Sequence, residues 1–328
     1  MMPTRTRQWL ANRMSSHLDW PASRALALKG DTTISVVLPA RDEQETVGSI
    51  VSAIREALVE RVPLVDELVV IDSRSADDTA KVAARAGATV HHQDDILSHL
   101  PGLWGKGEAL WKSLAVTSGD VVVFVDSDIR NFGPHFVTGL VGPLLADPEL
   151  VYVKGCYSRP LREADSFSPF DGGRVTELLA RPLLNMCWPE LSGFVQPLAG
   201  EYAGRRTALE AVPFVCGYGV EFALLVDLAE LVGVDRMAQV DLGCREHSHQ
   251  STAALGRMAG QILDTAWSRM HRQGIVVPER PFSRGITQFV QTADGYESLD
   301  WDVEVSERPP MREVLAGSGA PRPRLPRS

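Results

Sequence analysis

Two aspartates that follow an apolar strand are the residues most clearly suited to chemistry. Residues 119–130 read Gly-Asp-Val-Val-Val-Phe-Val-Asp-Ser-Asp-Ile-Arg. Because side chains alternate along a strand, Asp126 and Asp128 point the same way where this strand ends. Two carboxylates there can hold a hard divalent cation, and the cation can hold the phosphates of an activated donor. An acidic strand end that caps the next helix is the competing interpretation, which the triplet alone does not exclude.

Two loops nearer the N-terminus have the composition of a nucleotide site. The loop Pro39-Ala40-Arg41-Asp42-Glu43 leaves a predicted strand and enters a helix. Its backbone N–H groups suit a base or a phosphate, and Glu43 could accept hydrogen bonds from a base or a ribose. In the second loop, Ser73 or Asp72 could face the base. The acidic residues of the first loop could instead only favour the dipole of the following helix.

Basic residues beside glycines form two candidate anion sites. Lys106 lies between two glycines, which let the backbone approach a ligand closely, and its charge suits a diphosphate. Residues 172–177, Gly-Gly-Arg-Val-Thr-Glu, open a predicted helix. The N–H groups of that helix, together with Arg174 and Thr176, make a seat for a phosphate or a carboxylate. A flexible turn with a solvated lysine and an ordinary glycine turn are the alternatives.

Two later segments could complete a site. Glu221 could hydrogen-bond sugar hydroxyls and Tyr218 could form a flat wall, although a glutamate at a helix start is also an ordinary partner of the dipole. A neutral imidazole at His247 could complete a metal site begun by Asp128. His247 is favoured only by its association with the aspartates, and His249 could simply be solvated.

The hydrophobic pattern places the early loops at one edge of a parallel sheet. Apolar runs alternate with helical patterns in the first half, which is typical of β-α-β units. The loops after the first, second and fourth strands should gather at the carboxyl edge, where such sheets bind ligands. The predicted strands are Ile34–Leu38, Glu67–Ile71, Ala88–His91, Val121–Val125, Leu150–Lys154 and Met237–Leu242, and the later predicted helices are Arg174–Leu184, Tyr218–Val232 and Thr252–Arg272.

Composition excludes several classes of protein. The 328 residues are 44% hydrophobic and carry a net charge of -9, which argues against a nucleic-acid-binding protein. The four cysteines form no Cys-x-x-Cys pair, so a zinc cluster is not expected and the thiols are interpreted as reduced. No apolar run approaches the roughly 20 residues of a membrane helix. We therefore expect a cytoplasmic protein without a membrane or nucleic-acid partner.

Taken together and in this order, the motifs resemble those of the glucosyl-3-phosphoglycerate synthases. That retaining glycosyltransferase family also contains the mannosyl-3-phosphoglycerate synthases. The resemblance runs from about Thr33 to the helix after His249 and is most specific in its second half. The motifs are Pro39–Glu43, Gly-Lys-Gly-Glu-Ala-Leu-Trp at 105–111, Asp126-Ser127-Asp128, Gly-Gly-Arg-Val-Thr-Glu at 172–177, Gly-Tyr-Gly-Val-Glu at 217–221 and Arg-x-His at 245–247.

The resemblance implies a GT-A fold, in which helices flank a Rossmann-like and mostly parallel sheet. It also implies a nucleotide-sugar donor, a divalent metal (Mg²⁺, or Mn²⁺ or Co²⁺), 3-phosphoglycerate as acceptor, and a homodimer. The expected division is an arm at 1–30 with one short helix, a nucleotide-sugar-binding half at 31–155, an acceptor-binding half at 156–316 of the same domain, and a disordered tail at 317–328. By resemblance, the nucleotide site contains Pro39, Ala40, Glu43, Ser73, Lys106 and Asp126, the metal site Asp128 and His247, the acceptor site Gly173, Arg174, Thr176 and His249, and the sugar site Tyr218 and Glu221.

The expected reaction moves glucose from UDP-glucose or GDP-glucose to 3-phosphoglycerate, with GDP-mannose as the alternative donor. Lys106, Asp128 and Glu221 are the expected catalytic residues. The resemblance implies retention at the anomeric carbon, and without a convincing carboxylate nucleophile we favour attack on the same face of the sugar. The chain departs from the family pattern at Arg41-Asp42, where Leu-Asn is common, and at His249, where the mycobacterial-type enzymes typically have Asn.

Three other functions share part of this pattern. A lipid-phosphate glycosyltransferase should carry a membrane helix or a basic amphipathic segment, and the sequence shows neither. A nucleotidyltransferase normally has a glycine-rich signature after its first strand, which residues 39–43 lack. A non-catalytic nucleotide-sugar sensor stays open, because it would keep the binding residues without turnover.

Overall fold

The computed structural model describes residues 2–158, 161–163, 166–168, 173–246, 251–280 and 282–318. Within them the α-helices are α1 (Thr4–Arg13), α2 (Ala22–Lys29), α3 (Val47–Ile54), α4 (Thr79–Ala86), α5 (Lys106–Val116), α6 (His135–Ala146), α7 (Arg181–Cys187), α8 (Arg206–Leu209), α9 (Val220–Val232), α10 (Thr252–Arg272) and α11 (Met311–Ser318). Segments of π-helix cover Arg55–Arg61 and Thr176–Ala180.

The described residues contain fourteen strands, and eight of them form the central sheet. In chain order the strands are β1 (Met14–Ser16), β2 (Ile34–Ala40), β3 (Glu67–Asp72), β4 (Thr89–His92), β5 (Val121–Phe124), β6 (Tyr152–Ser158), β7 (Leu161–Glu163), β8 (Ser166–Ser168), β9 (Tyr202–Arg205), β10 (Phe214–Val215), β11 (Met237–Cys244), β12 (Gly285–Thr292), β13 (Gly295–Asp302) and β14 (Glu307–Arg308). The order across the sheet is β1-β11-β6-β9-β5-β2-β3-β4. Among the eight described strands of this central sheet, only β9 runs antiparallel to its neighbours. The predicted mostly parallel α/β architecture is confirmed.

The central strands are buried on both faces, as their continuous apolar sequences require. Val36 pairs with Val123, and both face a core that α3 and α6 cover. Val37 pairs with Phe124, and both face the opposite core, which α5 and α9 help to form. The sheet is therefore a rigid partition between two cores, and the loops at the ends of its strands are held in fixed positions.

The N-terminal segment differs from the predicted arm with one short helix. It contains two helices, and β1 extends the central sheet by pairing with β11. Trp9 on α1 is buried, and its indole N–H donates to the Val234 carbonyl at 2.8 Å. The elements are too short and their apolar residues too scattered for periodicity to reveal them, because long-range packing stabilises them.

The C-terminal region contains elements that the sequence pattern does not predict. β12 and β13 form a hairpin, and β14 pairs with β10. Arg308 of β14 is buried against Glu108 on the first turn of α5, with Nη2–Oε1 at 2.7 Å. The predicted disordered tail begins at Gly317, yet Gly317 and Ser318 belong to α11, and residues 319–328 lie outside the described residues.

Helix α6 contains a proline. Pro134 precedes the helix, which continues through Pro143 to Ala146. The four cysteines are free thiols. Within the described ranges, no helix combines the length and the apolar character needed to cross a bilayer.

Candidate active site

A cavity of about 830 Å³ opens at the carboxyl ends of β2, β3 and β5. Its walls also include the start of α5, the segment before α9 and one face of α10. Twelve of the predicted site residues line it: Pro39, Ala40, Glu43, Ser73, Lys106, Asp126, Asp128, Gly173, Arg174, Thr176, Tyr218 and Glu221. The structure thus brings these residues together, and their individual roles stay predictions. His247 and His249 lie outside the described residues.

The loops after β2 and β3 are tied to each other. The Asp42 carboxylate accepts from the Ala76 N–H at 2.7 Å, and the Asp42 N–H donates to Ser75 Oγ at 3.0 Å. Asp42 has a positive φ of 56°, a conformation that Asp tolerates better than most residues. The Glu43 N–H donates to Thr79 Oγ1 at 2.8 Å. These hydrogen bonds fix the wall that was predicted to hold the nucleotide.

The two glycines around Lys106 are explained by close packing. The Gly107 N–H donates to the Cys216 carbonyl at 3.0 Å, so the start of α5 lies directly against the segment that leads into α9. A Cβ at either glycine would overlap the carbonyl of Val215 or Cys216. Gly105 also has a φ of +109°, which favours glycine. Glycine at these two positions lets the start of α5 pack directly against the backbone before α9. That packing places Lys106 next to Glu221.

Lys106 lies between two carboxylates inside the cavity. Its ammonium pairs with Asp126 and, at 2.7 Å, with Glu221 Oε1. Burial lowers the pKa of Lys106, but the charges of Asp126 and Glu221 outweigh that effect and raise the pKa above its ordinary value. The lysine therefore stays protonated at neutral pH, and it presents a fixed positive charge beside the predicted donor site.

Arg245 is a functional candidate whose role the sequence did not indicate. Its Nη2 lies 3.1 Å from Asp126 Oδ2 and 2.5 Å from Asp128 Oδ1, and its Nε lies 3.4 Å from Glu201 Oε1. Burial lowers the pKa of Arg245, whereas Glu201 and the neighbouring acids raise it well above its ordinary value. Burial raises the pKa of Glu201. The guanidinium therefore holds both aspartates of the triplet in one orientation.

The carboxylates at this end of the cavity fit a divalent cation. Within the described residues, Asp126, Asp128, Glu201 and Glu221 share two cations, Lys106 and Arg245. Asp126 and Asp128 already converge on a single guanidinium nitrogen, and Asp128 lines the cavity. Carboxylate oxygens are among the ligands that suit Mg²⁺ and Mn²⁺. No cluster of three His, Cys, Asp or Glu side chains with metal-site geometry occurs in the part of the chain that the structure describes.

The predicted acceptor seat lines the same cavity. Gly173 has a φ of +93° and is followed by Arg174, Val175 and Thr176, all of which line the cavity. The π-helical turn that begins at Thr176 is a form that occurs frequently at functional sites. Tyr218 is half-exposed, and its N–H donates to Gln261 Oε1 of α10 at 2.9 Å.

Several lining residues were not predicted from the sequence. Trp104 is 63% exposed, and its ring lies 4.0 Å from the Arg74 guanidinium carbon and 5.5 Å from that of Arg41. Helix α10 contributes Arg257 and Gln261 among others. The aromatic residue before Gly-Lys-Gly was a usable signal, whereas the α10 residues follow an ordinary amphipathic pattern that does not distinguish a cavity wall from a core face.

Comparisons with known proteins agree with this geometry. A glycosyl transferase family 2 profile matches residues 35–179. Glucosyl-3-phosphoglycerate synthase of Mycolicibacterium paratuberculosis is 47% identical over 93% of this chain and 92% of its own. The crystal structure of the Mycobacterium tuberculosis enzyme with Mn²⁺, UDP and phosphoglyceric acid is 44% identical, covers 90% of this chain and 95% of its own, and has a TM-score of 0.79. The crystal structure of mannosyl-3-phosphoglycerate synthase from Rubrobacter xylanophilus is 38% identical, covers 96% of this chain and 100% of its own, and has a TM-score of 0.88.

These likenesses extend over nearly the whole chain and include the predicted GT-A fold, which is thereby confirmed. Identity of 47% across more than nine tenths of both sequences is far above what a shared fold alone would require. The chain belongs to the glucosyl-3-phosphoglycerate synthase family of glycosyltransferases.

Proposed function

We propose that this protein transfers glucose from UDP-glucose to the hydroxyl of 3-phosphoglycerate. The observation that carries the proposal is a single cavity that is lined both by Lys106 with the Asp126–Asp128 pair and by the helix start at Gly173–Thr176. The M. tuberculosis enzyme, which shares the fold, was also crystallised with Mn²⁺, UDP-glucose and phosphoglyceric acid. The glucosyl-3-phosphoglycerate synthases of two Mycolicibacterium species are 47% and 44% identical to this chain, against 38% for the R. xylanophilus mannosyl enzyme, which favours glucose over mannose.

The donor half of the cavity suits a nucleoside diphosphate. The tied loops around Glu43 and Ser73 would form one wall for the nucleoside, and Lys106, which lines the same cavity, would bind the diphosphate. A fixed ammonium needs no reorganisation as negative charge grows on the departing diphosphate, so it stabilises the transition state more than the ground state. A divalent cation held by Asp128, with His247 as the second ligand predicted from the sequence, would add charge neutralisation at the same point.

The acceptor half holds an anionic substrate against the sugar. Arg174 and Thr176 would bind the phosphate or the carboxylate of 3-phosphoglycerate and orient its hydroxyl, which lowers the entropic barrier to transfer. Glu221 is held by Lys106 in an ion pair, so we assign it to orienting sugar hydroxyls instead of forming a covalent intermediate. Same-face attack with retention then fits the site better than double displacement.

Arg174→Ala should raise the KM for 3-phosphoglycerate by about 10- to 100-fold and change the KM for the donor little, because a lost charge-assisted hydrogen bond is worth about 1.5–3 kcal/mol. Initial rates with each substrate varied in turn measure both constants. Arg85→Ala, at an exposed position on α4 outside the cavity, is the control. Equal increases in both KM values would contradict the acceptor seat.

A donor panel tests the proposal itself. UDP-glucose, GDP-glucose and GDP-mannose are each incubated with 3-phosphoglycerate and Mn²⁺, and products are identified by mass and by anomeric NMR. We expect an α-configured glucosyl product, which corresponds to retention of an α-linked donor. Calorimetric donor binding without product from any donor would favour the nucleotide-sugar sensor.

Two predictions about context accompany the proposal. The four free cysteines support a cytoplasmic location, since thiols stay reduced there. A homodimer is expected from the family resemblance, and sedimentation velocity at several protein concentrations would measure it.

A further inference from the structure

One basic side chain of the cavity, Arg257, has an aromatic ring as its partner and forms no ion pair with a described carboxylate. Arg74 is bound by the Asp94 carboxylate, Lys106 by Asp126 and Glu221, and Arg245 by three acids. Arg257 also lines the cavity, but its guanidinium carbon lies 4.2 Å from the centre of the Trp301 ring. None of the carboxylates in the described residues forms an ion pair with it. A guanidinium that rests on an aromatic face keeps its hydrogen-bond donors available for an anion.

The hairpin β12–β13 is built so that it supports this arginine. Gln288 of β12 donates to the Ala253 carbonyl of α10 at 3.2 Å. The hairpin packs so closely on α10 that a Cβ at Gly256 would overlap the Gln288 amide. Trp301 of β13 then lies under the Arg257 side chain. The hairpin is otherwise largely exposed, so its contact with α10 is the feature that relates it to the cavity.

The chemistry of the proposed acceptor calls for a second cation. 3-Phosphoglycerate carries a phosphate at one end and a carboxylate at the other. The helix start at Gly173–Thr176 can bind one of these two groups. Arg174 is the cation of that seat. Among the described lining residues, Arg41 is paired with Asp42 at 3.8 Å and Arg74 with Asp94, while Lys106 and Arg245 are paired with carboxylates on the donor side. Arg257 enters from a different element, α10, and fits this requirement.

We infer that Arg257, positioned by Trp301, binds the anionic end of the acceptor that the Gly173–Thr176 seat does not take. The inference rests on the proposed function and extends it by naming the residue that makes the site specific for a doubly anionic acceptor. It also gives the β12–β13 hairpin a purpose, because the hairpin becomes the support of an acceptor-binding side chain.

The test compares two arginines that stack on tryptophan. Arg257→Gln should raise the KM for 3-phosphoglycerate by about 10- to 100-fold, as expected for the loss of charge-assisted hydrogen bonds, and should leave the donor KM and the melting temperature unchanged. Arg24→Gln is the matched control, since Arg24 stacks on Trp20 at 4.5 Å and does not line the cavity. Trp301→Leu should raise the acceptor KM by a smaller factor, because the arginine loses its support but keeps its charge.

Two truncated acceptors identify the group that Arg257 binds. Glycerate lacks the phosphate, and glycerol 3-phosphate lacks the carboxylate, and both are used as competitive inhibitors. Arg257→Gln should weaken inhibition by one of them and leave inhibition by the other unchanged. An unchanged acceptor KM in the variant, or equal weakening of both inhibitors, would overturn the inference. Wild-type protein that makes no product from 3-phosphoglycerate would instead overturn the proposed function, and this inference with it.

Discussion

Asp128→Asn is expected to lower kcat by about 10³-fold, since a bound cation contributes several kcal/mol to stabilising the charge of a leaving diphosphate. Asparagine keeps the shape of the side chain but removes the negative charge that a divalent cation requires. Asp128 borders the cavity and is partly exposed, so the variant should fold normally. Turnover is measured with UDP-glucose and 3-phosphoglycerate over a range of Mn²⁺ concentrations.

Metal binding is measured separately from activity in the same variant. Electron paramagnetic resonance of free Mn²⁺ gives the affinity directly, and we expect Asp128→Asn to weaken it by at least about tenfold. Asp95→Asn is the control, because Asp95 is exposed and does not line the cavity. Near-normal turnover together with an unchanged Mn²⁺ affinity would remove Asp128 from the metal site and leave it only as a partner of Arg245.

Much of the sheet and its loops can be predicted from the sequence. Continuous β-branched runs predict β2, β3 and β5 to within two residues, because a strand buried on both faces has no other pattern available to it. The placement of their loops at one edge then follows from parallel pairing. The helix predicted at Thr252–Arg272 is observed with those bounds, since its amphipathic face persists over five turns.

The sequence pattern does not predict β9, which lies near the centre of the sheet. β9 has only the four residues Tyr-Ala-Gly-Arg, and it lies between β5 and β6 because it pairs with both in antiparallel register. Nothing in so short a mixed segment distinguishes a strand from a loop. Its place depends on hydrogen-bond partners that are about 50 and 80 residues away in the sequence.

The candidate site shows the same division between local and long-range information. The Asp-Ser-Asp and Gly-Lys-Gly motifs are local and could be recognised, although the reason for the glycines could not. Arg245 joins Asp126, Asp128 and Glu201, and this network becomes visible only when three distant segments meet. Likewise, the stacking of Arg257 on Trp301 depends on how the hairpin packs against α10. Sequence motifs therefore predict the candidate reacting groups, whereas the residues that hold those groups in place become visible only in the fold.

Gly107→Ala is expected to lower kcat/KM by at least about 10²-fold, because displacement of catalytic groups by about 1 Å can cost that much. The new methyl group would lie 1.8 Å from the Val215 carbonyl oxygen, and both groups belong to backbones that cannot move aside independently. The overlap is removed only if α5 moves away from the segment before α9. That movement would separate Lys106 from Glu221.

The same substitution should lower the free energy of unfolding by about 1–3 kcal/mol, the usual cost of overpacking. Alanine is otherwise favoured over glycine within a helix by up to about 1 kcal/mol, so a loss of stability isolates the steric effect. Gly285→Ala is the matched control, since no atom lies within 4 Å of the added Cβ. Denaturant unfolding gives stability, and rates measured well below the melting temperature give activity of the folded fraction. A Gly107→Ala variant as active and as stable as Gly285→Ala would show that close contact between α5 and Val215–Cys216 does not place Lys106.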